Sequence, residues 1–320
     1  MRWRKLLILT AKVGLFALVV WGIWRTTASS IGELREQHWS PASLDIKWLA
    51  ASAVLYLLSL VPPGLFWRRV LIAMGQEPGR FETVRAYIIG HLGKYVPGKA
   101  LVIVLRAGLI RSSRVDTTVA AVSIFYETFA MMAIGAMVAG VVIAILFRQH
   151  TMLMLLAAGS AVFAGVPVWP PVFQRLARLF GVGRRNPSTL DKVSQLRSDT
   201  LIAGSLGLAF GWVLTGLALF ATLRAGGYAS ADSTAHDVAV CIAAAALAIV
   251  AGFVSFIPGG AGVREFVLVE LLAGPFGEAG ALVSAVVARL LWLVAELVIS
   301  VILYLCRSRQ RAVGRGQQAV

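Results

Sequence analysis

HLGKYVPGKALVIVLRAG, residues 91–108, sets two lysines, an arginine and a Pro-Gly pair inside a segment, 84–110, that is otherwise strongly apolar. Pro97 has no N–H to donate, and its ring would collide with the carbonyl of Gly93 in a continuous helix, so a helix arriving there stops or kinks. A new helix can begin at once. Pro97 and Gly98 just ahead of Lys99 suit a helix start, whose free N–H groups and positive dipole end attract anions. Lys99 and Arg106, seven apart, share one face of the second helix, while Tyr87, His91 and Lys94 share one face of the first. Lys94, Lys99 and Arg106 are thus candidate ligands for a phosphate. The same residues also fit an interfacial turn with both lysines snorkelling into headgroups. Non-helical backbone at membrane depth persists only where protein or a water-filled cavity satisfies it, which weighs toward a site.

The rest of the chain makes membrane depth the right frame. Of its 320 residues 58% are hydrophobic and 14% charged, with a mean hydropathy of +0.81, whereas soluble domains carry about a quarter charged residues. Apolar runs long enough for ~30 Å of hydrocarbon, about 20 residues each, occupy 6–24, 46–67, 117–147, 151–169, 200–223, 237–257 and 279–306. One all-α transmembrane domain, 1–320, is expected. The run at 6–24 follows Arg2, Arg4 and Lys5 but exceeds the core of a secretory signal, so it is read as an uncleaved first helix.

The net charge of +15 is distributed as membrane proteins distribute it, so nucleic acid is not the expected partner. Arg175, Arg178, Arg184, Arg185, Lys192 and Arg197 crowd the loop 170–199, and Arg307, Arg309, Arg311 and Arg315 make the tail 307–320 basic without an acid. The loop and both termini are therefore expected in the cytoplasm, with the protein multi-pass in the inner membrane. An even number of crossings follows, but only seven spans are clear. Segment 84–110 is assigned as re-entrant from the cytoplasm, and 258–277, opened by Pro258, Gly259 and Gly260, is assigned an eighth, irregular crossing.

The two interrupted segments resemble each other. KYVPGK at 94–99 and SFIPGG at 255–260 share aromatic, branched apolar, Pro, Gly in order, and a charged residue follows each Pro after a similar interval, Glu127 and Arg289. This suggests an internal repeat with halves 46–147 and 200–306. Paired Gly/Pro-interrupted segments in corresponding positions point to a transporter's binding site. In the second, PGGAGVREFVLVELL, Gly259 and Gly260 allow close backbone approach, and Arg264 and Glu265 lie in the first helical turn; a plain structural hairpin fits these residues as well.

Glu127 and Arg289 sit about 15 Å into their spans at 1.5 Å per residue. Ions at that depth cost about 2.5–3.5 kcal/mol on insertion scales, so each should face the interior and find a partner. Arg289, Trp292 and Glu296 line one helix face. A functional reading competes with a structural one, in which Arg289 pairs with Glu296 or with Glu127 to lock the bundle. His38, His150 and His236 fall in loops without HExxH spacing, and Cys241 and Cys306 suggest no disulfide, so no metal or cofactor is expected.

GKYVPGK at 93–99 with Arg106, PGGAGVRE at 258–265, Glu127 and the helix RLLWLVAEL at 289–297 together resemble the transmembrane region of lysylphosphatidylglycerol synthases and related flippase-like integral membrane proteins. The resemblance, over roughly 45–306, implies a helical bundle that moves a phospholipid or polyprenyl-linked lipid between leaflets. The synthases add a large soluble aminoacyltransferase domain. This sequence ends fourteen residues after Cys306, so aminoacyl transfer is not expected of it. The leading expectation is a lipid translocase whose substrate is a membrane lipid. Its rivals are a membrane-embedded enzyme acting on a lipid phosphate, with Glu127 or Glu265 as base, and a non-catalytic scaffold.

Overall fold

Asp45 opens α1 (Ile46–Ser59), accepting the Lys47 N–H with its carboxylate, and after one turn at Leu60 the chain runs on as α2 (Val61–Ala73), entered through Pro62 and Pro63. The two form a single 28-residue apolar stretch. The computed structural model describes residues 44–95, 100–112, 114–147, 149–184, 187–230, 232–255, 260 and 262–316, with 307–316 as backbone. The helix expected at 6–24 lies outside the described residues, as do Pro97, Gly98, Lys99, Arg185, Pro258 and Gly259.

Beyond α2 come α3 (Arg80–His91), a 3-10 turn (Leu92–Tyr95) and α4 (Ala100–Ile110). Long α5 (Thr117–Leu146) and α6 (Thr151–Gly165) follow, then the short α7 (Pro170–Leu179) and α8 (Pro187–Ser194), and finally α9 (Ser198–Ala225), α10 (Ala235–Val254) and α11 (Val263–Gly316). Among the described residues six helical stretches are long and apolar enough to cross a membrane. The only pairing outside helices there is an isolated bridge, Ser112 to Val115. The fold is all-α and polytopic.

Segment 84–110 is a helical hairpin. Gly90 lies against Arg106 and Gly93 against the backbone of Val102, so α3 and α4 run antiparallel. Glu77 N–H to the Arg114 carbonyl at 3.2 Å and Asp116 N–H to the Gln76 side chain at 2.7 Å tie the open ends together. Legs of 12 and 11 residues are about 18 and 16 Å long, too short to cross ~30 Å of hydrocarbon. The chain goes in and comes back between Tyr95 and Ala100.

The second interrupted segment also turns back. Gly277 adopts φ 74° and ψ 158°, a conformation that only glycine holds without strain, and it divides α11 into limbs 263–276 and 278–316. Glu265 pairs with Arg289 across that break, so the limbs are antiparallel. Gly280 abuts Tyr228 in the loop preceding α10. The segment expected to make an irregular eighth crossing therefore carries the chain back to the end from which α10 set out. Among the described residues that reversal pairs α10 with the first limb, and the second limb then runs on to the end of the bundle where Arg85 meets Leu303.

The bundle thus has two chemically distinct ends. At one lie the open end of the hairpin, α7 and α8 with the basic residues of 170–199, and the start of α9; Met74, Phe173 and Val193 share a packed cluster there. Arg85 reaches the Leu303 carbonyl at 2.7 Å, so the C-terminal part of α11 is at this basic end too. The opposite end carries Asp45, which donates its N–H to the Ala225 carbonyl, and Asp237, which closes a capping box with Thr234 at the start of α10.

Small residues let the spans approach. The run Ala243–Ala246 on α10 is buried, and Gly216 on α9 leaves no room for a methyl beside the backbone of Ile242. Between apolar helices in apolar surroundings such close packing drives association. Gly216→Ala is therefore expected to cost about 1–3 kcal/mol through overpacking and lower the thermal unfolding midpoint in detergent. Gly207→Ala, on the same helix but facing open space, should hold or raise it through better helix propensity.

Candidate functional site

The second limb of α11, 278–316, is the ruler along which the polar groups are arranged. Arg289 stands about 18 Å from Gly277, Glu296 about 10 Å farther, and Leu303 about 10 Å beyond that. Glu296 has no exposed surface. A carboxylate in such a place needs donors brought to it. Lys94 Nζ lies 2.5 Å from its Oε1, Tyr95 donates to Oε2 at 3.1 Å, Tyr56 donates to Oε1, and His91 Nε2 is 3.7 Å away. Two of these four come from the 3-10 turn after the first hairpin leg, and a third, His91, is the last residue of the leg itself. The interruption around Pro97 thus delivers its last helical residues to the middle of another helix.

Burial within the cluster is graded. The Lys94 side chain is 31% exposed and that of His91 17%, against none for Glu296. Lys94 is therefore the outer member of the pair, with the carboxylate behind it. Tyr56 is stacked on Trp292 at 4.5 Å with planes 3° apart, and the Trp292 N–H donates to Ser52 at 3.3 Å, which in turn bonds Thr222 at 2.9 Å. This network fixes the back wall.

From the other side comes the second interrupted segment. Arg264, in the first turn of α11, lies against Gly252 and Gly260 and acts electrostatically on Lys94, Tyr95 and Tyr56. Next to it Arg289 binds Glu265 at 2.8 Å. Arg264, Arg289 and Trp292 border one small cavity, room for about one water, with Leu268 and Ala288 on its apolar side. The structure thus gathers Lys94, Gly260, Arg264, Glu265, Arg289 and Glu296 in one region, counting His91, Tyr56 and Tyr95 as additions.

Arg106 and Glu127 form a separate pair. Their closest atoms are 2.7 Å apart with 3% and 1% exposure, and the guanidinium lies 3.8 Å above the Tyr87 ring. The pair fastens the second hairpin leg to α5. In the same relation the Glu265–Arg289 pair fastens the first limb of α11 to the second, with the signs exchanged. The intramembrane charges accordingly take partners other than the two pairings weighed from sequence: Glu127 holds Arg106, Arg289 holds Glu265, and Glu296 holds Lys94. Among the described residues no group of three or more His, Cys, Asp or Glu is placed to hold a metal ion.

Tyr56, Tyr95 and the Ser52–Thr222 contact are the parts that sequence reading passed over. A signal existed: Ser52, Tyr56 and Ser59 recur at i, i+4 and i+7 in an apolar helix and are all buried.

The sequence model of the family described as Lysylphosphatidylglycerol synthase TM region matches residues 7–300. No curated protein matches the chain significantly.

Removing one member of the sealed pair leaves the other charged and unsolvated. Arg106→Leu or Glu127→Leu alone is expected to cost about 3–5 kcal/mol, read as a lower unfolding midpoint in detergent. The double variant should recover most of that loss, and a double-mutant cycle gives the coupling.

Proposed function

The chain belongs to the lysylphosphatidylglycerol synthase TM region family, and from that premise we propose that it is a lipid translocase whose headgroup site, called the chamber below, is the polar cluster of Lys94, Arg264, Glu265, Arg289 and Glu296. Fold and family fit a polytopic membrane protein that acts on lipids. The observation that carries the finer reading is the convergence of the two interruptions on one helix. The first hairpin enters from the basic end and sets Lys94 and Tyr95 at Glu296. The second descends from the opposite end and sets Arg264 and the Glu265–Arg289 pair one to two turns away. Opposed broken segments meeting at mid-bundle are the arrangement by which transporters of inverted-repeat design form a substrate site reachable from either side.

The charges favour an anionic group. Among the described residues Lys94, Arg264 and Arg289 face Glu265 and Glu296, an excess of one cation before His91 is counted. Arg264 makes no hydrogen bond or ion pair with any described residue, so its planar donor fork is available to phosphate oxygens, a geometry guanidinium binds in bidentate fashion. Lys94, the outer member of its pair, supplies a second, mobile point charge. The Arg106–Glu127 pair, closed on itself, works as a fastener rather than a ligand. Acyl chains stay in the bilayer alongside the apolar faces of α5 and α11, where Val141, Ile145, Val294 and Val298 are exposed. The excess of positive residues in 170–199 supports reading the basic end as cytoplasmic, and on that reading the first hairpin opens toward the cytoplasmic leaflet.

Reconstituted in liposomes with a fluorescent phospholipid, the protein should move label between leaflets without changing its mass. Lys94→Gln and Arg264→Gln should each slow movement at least about tenfold, the loss of one charge-assisted phosphate contact, while the loop variant Lys192→Gln stays at the native rate. A lipid of altered mass would favour the enzymatic rival, and native rates in both site variants would remove the chamber from the pathway.

A further inference from the structure

The position of Glu296 behind Lys94 has a consequence for what must enter with the ligand. We propose that binding of a lipid phosphodiester in the chamber is coupled to uptake of one proton, and that Glu296 is the group that receives it. The inference rests on the headgroup reading above and adds the ion that travels with the substrate.

In the structure the Glu296 carboxylate is shielded from solvent, and among the described residues its ion-paired ammonium is Lys94, at 2.5 Å. Lys94 is also the part of the cluster that an incoming headgroup meets first, since it is 31% exposed while the acid is not exposed at all. A phosphodiester drawn to Lys94 and Arg264 competes with Glu296 for the same ammonium. Once the ammonium turns to the phosphate, the donors left to the carboxylate among the described residues are the neutral Tyr56 and Tyr95. A charged carboxylate without a counter-ion in a low-dielectric site gives way to its neutral acid.

The remaining ionisable groups among the described residues do not replace the lost charge. On the first hairpin leg His91 Nε2 lies 3.7 Å from the acid, beyond hydrogen-bond distance. On α11 Arg289 is engaged by Glu265 at 2.8 Å, and Arg264 is the other partner of the phosphate. On α1 Tyr56 is already a donor to the acid, and Lys94 also reaches its hydroxyl at 3.1 Å. The step balances: one phosphodiester anion and one proton enter, the Lys94–Glu296 pair becomes a Lys94–phosphate pair and a neutral acid, and the chamber's net charge is unchanged. Release reverses both.

The test is calorimetric titration of the purified full chain in detergent with dihexanoyl phosphatidylglycerol, whose phosphodiester does not itself titrate near neutrality. It is run at pH 7 in two buffers of different ionisation enthalpy. The native protein should take up about one proton per ligand bound, and Glu296→Gln should bind with uptake close to zero. Binding whose heat is the same in both buffers overturns proton coupling while leaving the headgroup site standing. Uptake that persists undiminished in Glu296→Gln overturns the assignment to this residue. If no binding is detected by heat or by a shift in unfolding midpoint, the headgroup reading falls and the coupling with it. The native measurement decides coupling even if the variant fails to fold.

Discussion

A carboxylate with no access to water is the constraint around which this bundle is organised. Glu296 is an acceptor that hydrocarbon cannot satisfy, so the chain brings an ammonium and two phenols to it from two other elements. Holding Lys94 and Tyr95 at that depth requires a helix that stops inside the bundle and a return leg packed closely enough for Gly93 to touch the backbone of Val102. The return leg must itself be anchored, which is the task of Arg106 against Glu127. Tyr56, in turn, is held by its stack on Trp292. Each of these features is costly alone, and each is explained by the next.

Much of this was legible in the residues. A proline in an apolar run forecasts a break, and short legs on either side of it forecast a hairpin; both are present in 80–110. The placement of charged residues near mid-span forecasts interior partners, which Glu127 and Arg289 have. Their identities were not legible, because a sequence gives the depth of a charge but not the rotation of neighbouring helices about their axes. Arg106 illustrates this. Its helical register with Lys99 suggested a shared ligand, yet packing turns it toward α5 and Tyr87. The polar stripe Ser52, Tyr56, Ser59 escaped notice because hydroxyls scarcely lower hydropathy, although their spacing marks a buried face.

The second interruption shows a different limit. Counting crossings constrains only whether their number is odd or even, and a limb that goes down and comes back leaves that unchanged. Gly277 is what makes the return possible, and nothing in the local composition of LLAGPFGEAG separates a sharp reversal from a bend. With the reversal in place, the two interrupted segments become geometrically comparable: each is tied to the long helix after it by one ion pair, Arg106 to Glu127 and Glu265 to Arg289, with opposite polarity.

The last helix is pinned at two places seven residues apart, Arg289 to one interruption and Glu296 to the other, and seven residues return almost to the same side of a helix. The two interruptions approach these pins from contrary directions. A small slide of that helix along its axis therefore compresses one junction as it stretches the other, so the pair cannot slacken together. The rod acts as a see-saw beam, and any relaxation toward one face of the membrane is answered by tension toward the other.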